Sequence, residues 1–170
     1  MTTPTHQESH RQIPTMITIA AIIVCADTLS KILAVHFLIP GHMIPILGPH
    51  IGWLLVRNSG AAFSFATGHT FILTLISCSV VAVIAWISAQ LFSRTWAIGL
   101  GMILGGALGN LIDRFLRSPG HMHGHVVDFI AIGWWPVFNL ADSAVVLGTT
   151  LLAILGLRGI SYTGTNSHTP

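Results

Sequence analysis

Four of the five acidic residues in this chain, Asp27, Asp113, Asp128 and Asp142, fall within or at the ends of long apolar segments; the fifth, Glu8, lies in a polar N-terminal stretch. A charged side chain at mid-membrane costs about 2.5–3.5 kcal/mol on insertion scales, so each of the four is a candidate for function. The competing reading for any one of them is a structural partner near a helix end. Their neighbours separate them. Asp27 has Lys31 one helical turn later, a spacing that lets the two form a structural polar pair. Asp113 is followed by Arg114, so a cation is at hand. Asp128, in Val126-Val127-Asp128-Phe129, and Asp142, in Phe138-Asn139-Leu140-Ala141-Asp142-Ser143, have no Lys or Arg within four residues.

The connection between Asp128 and Asp142 is short, so the two can meet across the fold. Two carboxyls that meet in a low-dielectric site cannot both ionise readily. One keeps a proton, and the pair splits into an acid and a base. That state suits amide hydrolysis: the ionised partner takes a proton from water, and the neutral partner polarises the scissile carbonyl. Such a pair titrates as a unit, and the sequence assigns the proton to neither member.

Asn58, Asn110 and Asn139 follow apolar or turn segments on the same side of the chain. Their amides could hold a substrate backbone or fix a carboxyl, or simply bond between helices. Gly101, Gly105 and Gly109 make a small-xxx-small line, which points to close helix packing and to no chemistry of its own.

Four stretches are long and apolar enough to span a bilayer, about Thr15 to Phe37, Thr70 to Phe92, Thr95 to Leu116 and Trp135 to Leu157. Ser93-Arg94 reads as a tight connection. Leu38 to His69 is longer, with turn signals at Pro40-Gly41 and Gly48-Pro49, a strand-like run Ile51 to Val56, and Asn58-Ser59-Gly60. A small β-element on one membrane face is expected there. Arg117 to Gly133 is the second long linker, on that same face. An even number of spans puts both termini at the opposite face. The expectation is one domain over residues 1–170, with polar tails at about 1–13 and 159–170.

Composition agrees. Only 7% of residues are charged and 52% are hydrophobic, against about 25% charge in a soluble domain. A net charge of +2 with no basic run excludes a nucleic-acid partner. Cys25 and Cys78 lie inside apolar runs and read as unpaired, buried thiols. The first apolar run contains Asp27 and Lys31 and lacks a well-placed small-x-small site, so it reads as a retained helix. Orientation by positive charge is a tie, with Arg11, Arg94 and Arg158 on one side and Arg57, Arg114 and Arg117 on the other. Trp53, Trp134 and Trp135 fit an interfacial belt at the long-linker face; Trp86 and Trp96 flank the other end.

Taken in order, these segments resemble the lipoprotein signal peptidase (signal peptidase II) family. Asp27-Thr28-Leu29-Ser30-Lys31 resembles its first-helix motif, and Arg57-Asn58-Ser59-Gly60-Ala61-Ala62-Phe63-Ser64 its Asn-x-Gly-Ala-x-Phe segment. Gly105-Gly106-Ala107-Leu108-Gly109-Asn110-Leu111-Ile112-Asp113-Arg114 resembles the third-helix motif, and the segments around Asp128 and Asp142 resemble the two catalytic ones. The resemblance implies an all-α membrane fold, a four-helix bundle with a small periplasmic β-sheet cradle over Leu38 to Phe65. It implies an aspartic endopeptidase whose dyad is Asp128 and Asp142, lined or braced by Asn58, Gly60, Asn110, Arg114 and Asn139. It implies no metal and no cofactor. Diacylglyceryl-modified prolipoproteins would be the substrates, cut on the N-terminal side of the modified cysteine. Membrane lipids would be the other partners of a monomer in the bacterial cytoplasmic membrane, with both termini cytoplasmic and the active site near the periplasmic face. Two stretches depart from the family pattern: Leu116 to Gly124 is longer, and Ile130 to Pro136 shorter, than expected.

Rival readings are weaker. His121, His123 and His125 alternate before Asp128 and invite a metal, but no His-Glu-x-x-His motif is present. Intramembrane carboxylates also mark proton-coupled transporters, yet no repeated halves are visible. A serine peptidase using Ser59 or Ser64 lacks a Gly-x-Ser-Gly elbow with a well-placed histidine.

Overall fold

A computed structural model describes residues 11–60 and 70–164. Glu8, His69 and the Ala61-Ala62-Phe63-Ser64 part of the second motif lie outside the described residues, as do residues 1–10 and 165–170 of the polar tails. Among the described residues, four helices are long and apolar enough to cross a membrane: α1 (Ile13–Phe37), α2 (Thr70–Ser88), α3 (Arg94–Leu116) and α4 (Leu140–Leu157). Their burial pattern is inverted relative to a soluble bundle. Ile22, Leu29, Ile72, Val83 and Leu147 face outward, whereas Asp27, Lys31 and Thr74 are fully enclosed. Lipid rather than water must therefore cover the outer face. Cys25 is exposed on that face and Cys78 partly so, both free, which corrects the expectation of buried thiols.

Helix α3 is the hub, packed against α1, α2 and α4. Its glycines permit this. A Cβ on Gly105 would collide with the Ala20 backbone and Ile23 of α1, and one on Gly106 with the Ala141 carbonyl of α4. With little apolar driving force between helices in lipid, such close backbone approach is what holds them.

Three strands form one antiparallel sheet in the order β1 (Met43–Leu47), β2 (Ile51–Asn58), β3 (Val126–Ile132). The third strand comes from the second long linker and was not legible as a strand. Only Ile132 at its far end is exposed, so the apolar–polar alternation that betrays a half-buried strand is missing. Strand β2 also runs two residues past the expected end at Val56, and that extension carries Asn58 beside β3.

Two helix boundaries differ from expectation. Helix α2 stops at Ser88, not Phe92, because Ala89, Gln90 and Leu91 turn back through i→i−3 bonds and Leu91 is fully buried. The α2–α3 connection is thus longer than Ser93-Arg94. Helix α4 starts at Leu140, not Trp135. Pro136 lies in the connection, Phe138 bridges to Ile130 of β3, and Asn139 caps the helix. Trp134 and Trp135 are left as exposed rings near the sheet. At the opposite end the described parts of both termini are tied together. Gln12 donates to the Leu91 carbonyl, Phe92 and Ser93 donate to the Tyr162 carbonyl, and the Trp96 indole donates to Ile160.

Candidate active site

At the sheet end of the bundle the buried polar residues form two adjoining clusters. The inner one is ionic. Lys31 Nζ lies 2.7 Å from Asp27 Oδ2 and 3.0 Å from Asp113 Oδ2. Asp113 also pairs with Arg117 through its other oxygen, and accepts the Val127 backbone N–H at 3.1 Å. Its ion-pair partners are thus Lys31 and Arg117, while the adjacent Arg114 stands in its field without pairing. Consecutive helical side chains diverge, whereas residues four apart share a face. Asp27 Oδ1 accepts the Ala141 backbone N–H at 3.0 Å, which fastens α1 to the start of α4. Gly109 makes room for this carboxylate, since a Cβ there would strike Asp27 Oδ2.

The outer cluster contains Asp128 and Asp142, and its donors are amides. Asp128, on β3 and 1% exposed, accepts from Asn58 Nδ2 at 2.8 Å and from Asn139 Nδ2 at 2.6 Å. Asp142 accepts from Asn110 Nδ2 at 2.8 Å and from the Asn139 backbone N–H at 3.2 Å. Asn139 therefore touches both carboxyls, one with its side chain and one with its main chain. This follows from its capping role: its Oδ1 accepts from Asp142 N at 2.9 Å while Asp142 reaches back, a reciprocal box at the start of α4. The local rule that begins a helix thus sets one carboxyl beside the residue that holds the other.

Gly60 adopts φ +97° and donates its N–H to Asn58 Oδ1 at 2.7 Å. With its oxygen satisfied there, the Asn58 amide turns its N–H toward Asp128. Asn110 joins the two clusters. Its Oδ1 accepts from Lys31 Nζ at 3.0 Å and from Asn139 Nδ2 at 3.2 Å, leaving its NH2 to face Asp142. This bridge from Lys31 escaped the sequence reading, although Asn110 and Asp113, three apart on α3, share a face. Arg114 is 9% exposed, lies in the electrostatic field of Asp113, Asp128 and Asp142, and has Nε and Nη1 without hydrogen-bond partners among the described residues.

Burial pushes the Asp128 carboxyl up to about 7; Asp142 adds to the rise, and the Asn58 and Asn139 bonds and Lys31 oppose it. Asp128 also lines a cavity of about 360 Å³ with Val56, Arg57, Asn58, Ser59, Trp134, Pro136 and Val137. The histidines of the second linker do not join this site. His123 stacks on Phe71 at 5.6 Å and bonds to the His121 carbonyl, and Thr74 holds the Met122 carbonyl. No group of three His, Cys, Asp or Glu side chains suited to a metal occurs among the described residues.

A polar chamber at the mouth of a four-span bundle defines the class, a multi-pass membrane enzyme. Two solved structures described as bacterial membrane enzymes, at 1.9 Å and 2.3 Å, superpose with TM-scores of 0.78 and 0.79 and identities of 27% and 26%. They cover 90% and 97% of this chain and 99% and 100% of their own. The chain belongs to the signal peptidase II family, whose model, Signal peptidase (SPase) II, matches residues 19–158; it is a peptidase. Similar proteins named lipoprotein signal peptidase include that of Mycobacterium leprae strain Br4923, 54% identical over 89% of this chain and 76% of the relative. That of Mycobacterium avium strain 104 is 53% identical over 89% and 84%. That of Rhodococcus jostii strain RHA1 is 49% identical over 95% and 82%.

Proposed function

We propose that this chain removes signal peptides from diacylglyceryl-modified prolipoproteins, cutting on the N-terminal side of the modified cysteine with Asp128 and Asp142 as the catalytic pair. The observation that carries the reading is Asn139, bonded at once to Asp128 and to Asp142. In the resting site Asp128 holds the shared proton, consistent with its raised affinity for it. Asp142, in the first turn of α4 at the positive end of the helix dipole, serves as the carboxylate. Asp142 takes a proton from the attacking water while Asp128 donates to the scissile carbonyl oxygen. Collapse of the tetrahedral intermediate returns a proton to the leaving amine. Asn58, Gly60, Asn110 and Asn139 fix the two carboxyls, and Arg114 contributes a buried positive field beside them.

The chain works as a single domain and as a monomer, since every side chain of the site comes from the helices and sheet of one chain. The site lies at the end remote from the described parts of both terminal segments, which favours cytoplasmic termini and a periplasmic active site. A lipid-tailed substrate would partition into the bilayer and reach the chamber from the side, its acyl chains holding the scissile bond at the interface.

The test is cleavage of a lipid-modified prolipoprotein by the purified protein, with products weighed by mass spectrometry. The expected product ends just before the modified cysteine, Asp128→Asn and Asp142→Asn each abolish it without loss of fold, and chelator has no effect. Full activity in Asp142→Asn, or loss of turnover with chelator, would overturn the assignment.

A further inference from the structure

A second polar cavity opens at the same end of the molecule. It has a volume of about 400 Å³ and is lined by Arg57, Arg117, Ser118, Pro119 and His125. It adjoins the end of a membrane-spanning helix. Helix α3 ends at Leu116, whose side chain is 79% exposed among the outward-facing apolar residues, and Arg117 is the next residue. The floor is rigidly built. Arg117 N–H donates to the Asp113 carbonyl, Gly124 N–H to the Arg114 carbonyl, and His125 N–H to the Ser118 carbonyl. Gly124 sits so close to the carbonyls ending α3 that no Cβ would fit there.

Arg57 carries the uncompensated charge of this cavity, and Arg117 pairs with Asp113 through Nε alone. Asp113 touches Arg117 through one oxygen, but its other oxygen is already taken by Lys31 at 3.0 Å and Val127 N–H at 3.1 Å. The side chain of Arg57, exposed on β2, has no ion pair or hydrogen bond among the described residues. Neither the Ser118 hydroxyl nor the His125 ring is bonded to any described residue, so hydroxyl and imidazole donors remain available beside two guanidinium groups. Arg11, Arg94 and Arg158 mark the opposite end, so neither end is depleted of cations. A general charge bias therefore gives no reason for Arg57 and Arg117 to converge here.

We propose that this cavity is a phosphate-oxyanion site that takes the headgroup of an anionic phospholipid, apart from the carboxyl pair. Guanidinium groups match phosphate oxygens with paired donors. A site one residue beyond a span lies where lipid phosphates are concentrated, and a basic side chain there gains from an anionic surface. A lipid held at this point would fasten the end of α3 and the edge of β2 to the bilayer, next to the cleft that Arg57 also lines.

The full-length protein, reconstituted in nanodiscs of equal phosphatidylglycerol and phosphatidylcholine, would be released and weighed by native mass spectrometry. One retained phosphatidylglycerol in preference to phosphatidylcholine is expected. Arg57→Gln and His125→Gln should each lower that retention by roughly tenfold, the scale of one charge-assisted hydrogen bond, and Arg57→Lys should restore part of it. Thermal unfolding of each variant checks that the fold is kept. A parallel arm adds inorganic phosphate to lipid-free protein in detergent. Arg57-dependent binding of phosphate without lipid retention would support the oxyanion site and make its ligand a soluble phosphate. Equal retention of both lipids together with no Arg57-dependent phosphate binding, or retention unchanged in both Arg57→Gln and His125→Gln, would overturn the proposal.

Discussion

The inner and outer carboxyl clusters share one end of one bundle and are bridged by Asn110, yet they are built from opposite materials. Asp27 and Asp113 face Lys31 and Arg117. Asp128 and Asp142 face amide N–H groups. A fixed cation holds a buried carboxylate ionised and makes its charge part of the structure. A neutral amide holds the geometry of a carboxyl and lets its proton come and go. The difference teaches how a membrane protein can keep four aspartates in one bundle end, two held by cations and two by amides, the second pair being the one the proposed chemistry uses.

Substitutions can break this contrast. The largest expected effect is on turnover. Asp128→Asn and Asp142→Asn should lower the cleavage rate by about 10²–10⁴, the range for a general acid or base, with thermal unfolding little changed. The inner cluster should behave the other way. Lys31→Met strands the buried Asp27 carboxylate and leaves Asp113 with Arg117 alone, and should cost about 3–5 kcal/mol of stability, read as a lowered unfolding midpoint in detergent. If Lys31→Met unfolds normally and only loses rate, the division between the clusters fails. Smaller again is Asn139→Ala, which removes a donor to Asp128 and the cap of α4. About 1–3 kcal/mol is expected, divided between rate and stability. Asn110→Ala, which cuts the bridge, should lower kcat by roughly tenfold with KM nearly constant, since its loss loosens Asp142 without removing a charge.

Much of this was legible in the sequence. The spans stood out because each is an apolar run of membrane length, and Asp128 and Asp142 because no Lys or Arg lies near them. Asp27 and Lys31 pair as their spacing demands. What escaped is what depends on tertiary neighbours. Val126–Ile132 is enclosed over most of its length, so it shows no alternation and did not read as a strand. The start of α4 was misplaced because apolar Trp135 and Val137 extend the run that Pro136 and the Asn139 cap interrupt. The sequence offers Asp113 a nearby cation in Arg114, but its direct partners, Arg117 by helical geometry and Lys31 by folding, do not show in the adjacent residue. The Asn110 bridge needs α1, α3 and α4 together and has no local signature.

The central claim, that one proton is shared and rests on Asp128, has a direct test in the pH dependence of cleavage. Because the folded protein raises this carboxyl from 3.8 to about 7, the proton is present below that value and lost as pH rises through it. The same proton favours the folded state at acid pH, and that contribution fades toward pH 7, so Asp128→Asn should flatten the fall in unfolding midpoint between acid and alkaline buffers. The decisive measurement is the profile of kcat/KM for a lipid-modified prolipoprotein. The account predicts a bell, with an alkaline limb near pH 7 as Asp128 ionises and an acid limb where the pair takes up a second proton. A rate that stays flat from the acid range well past neutrality would contradict it.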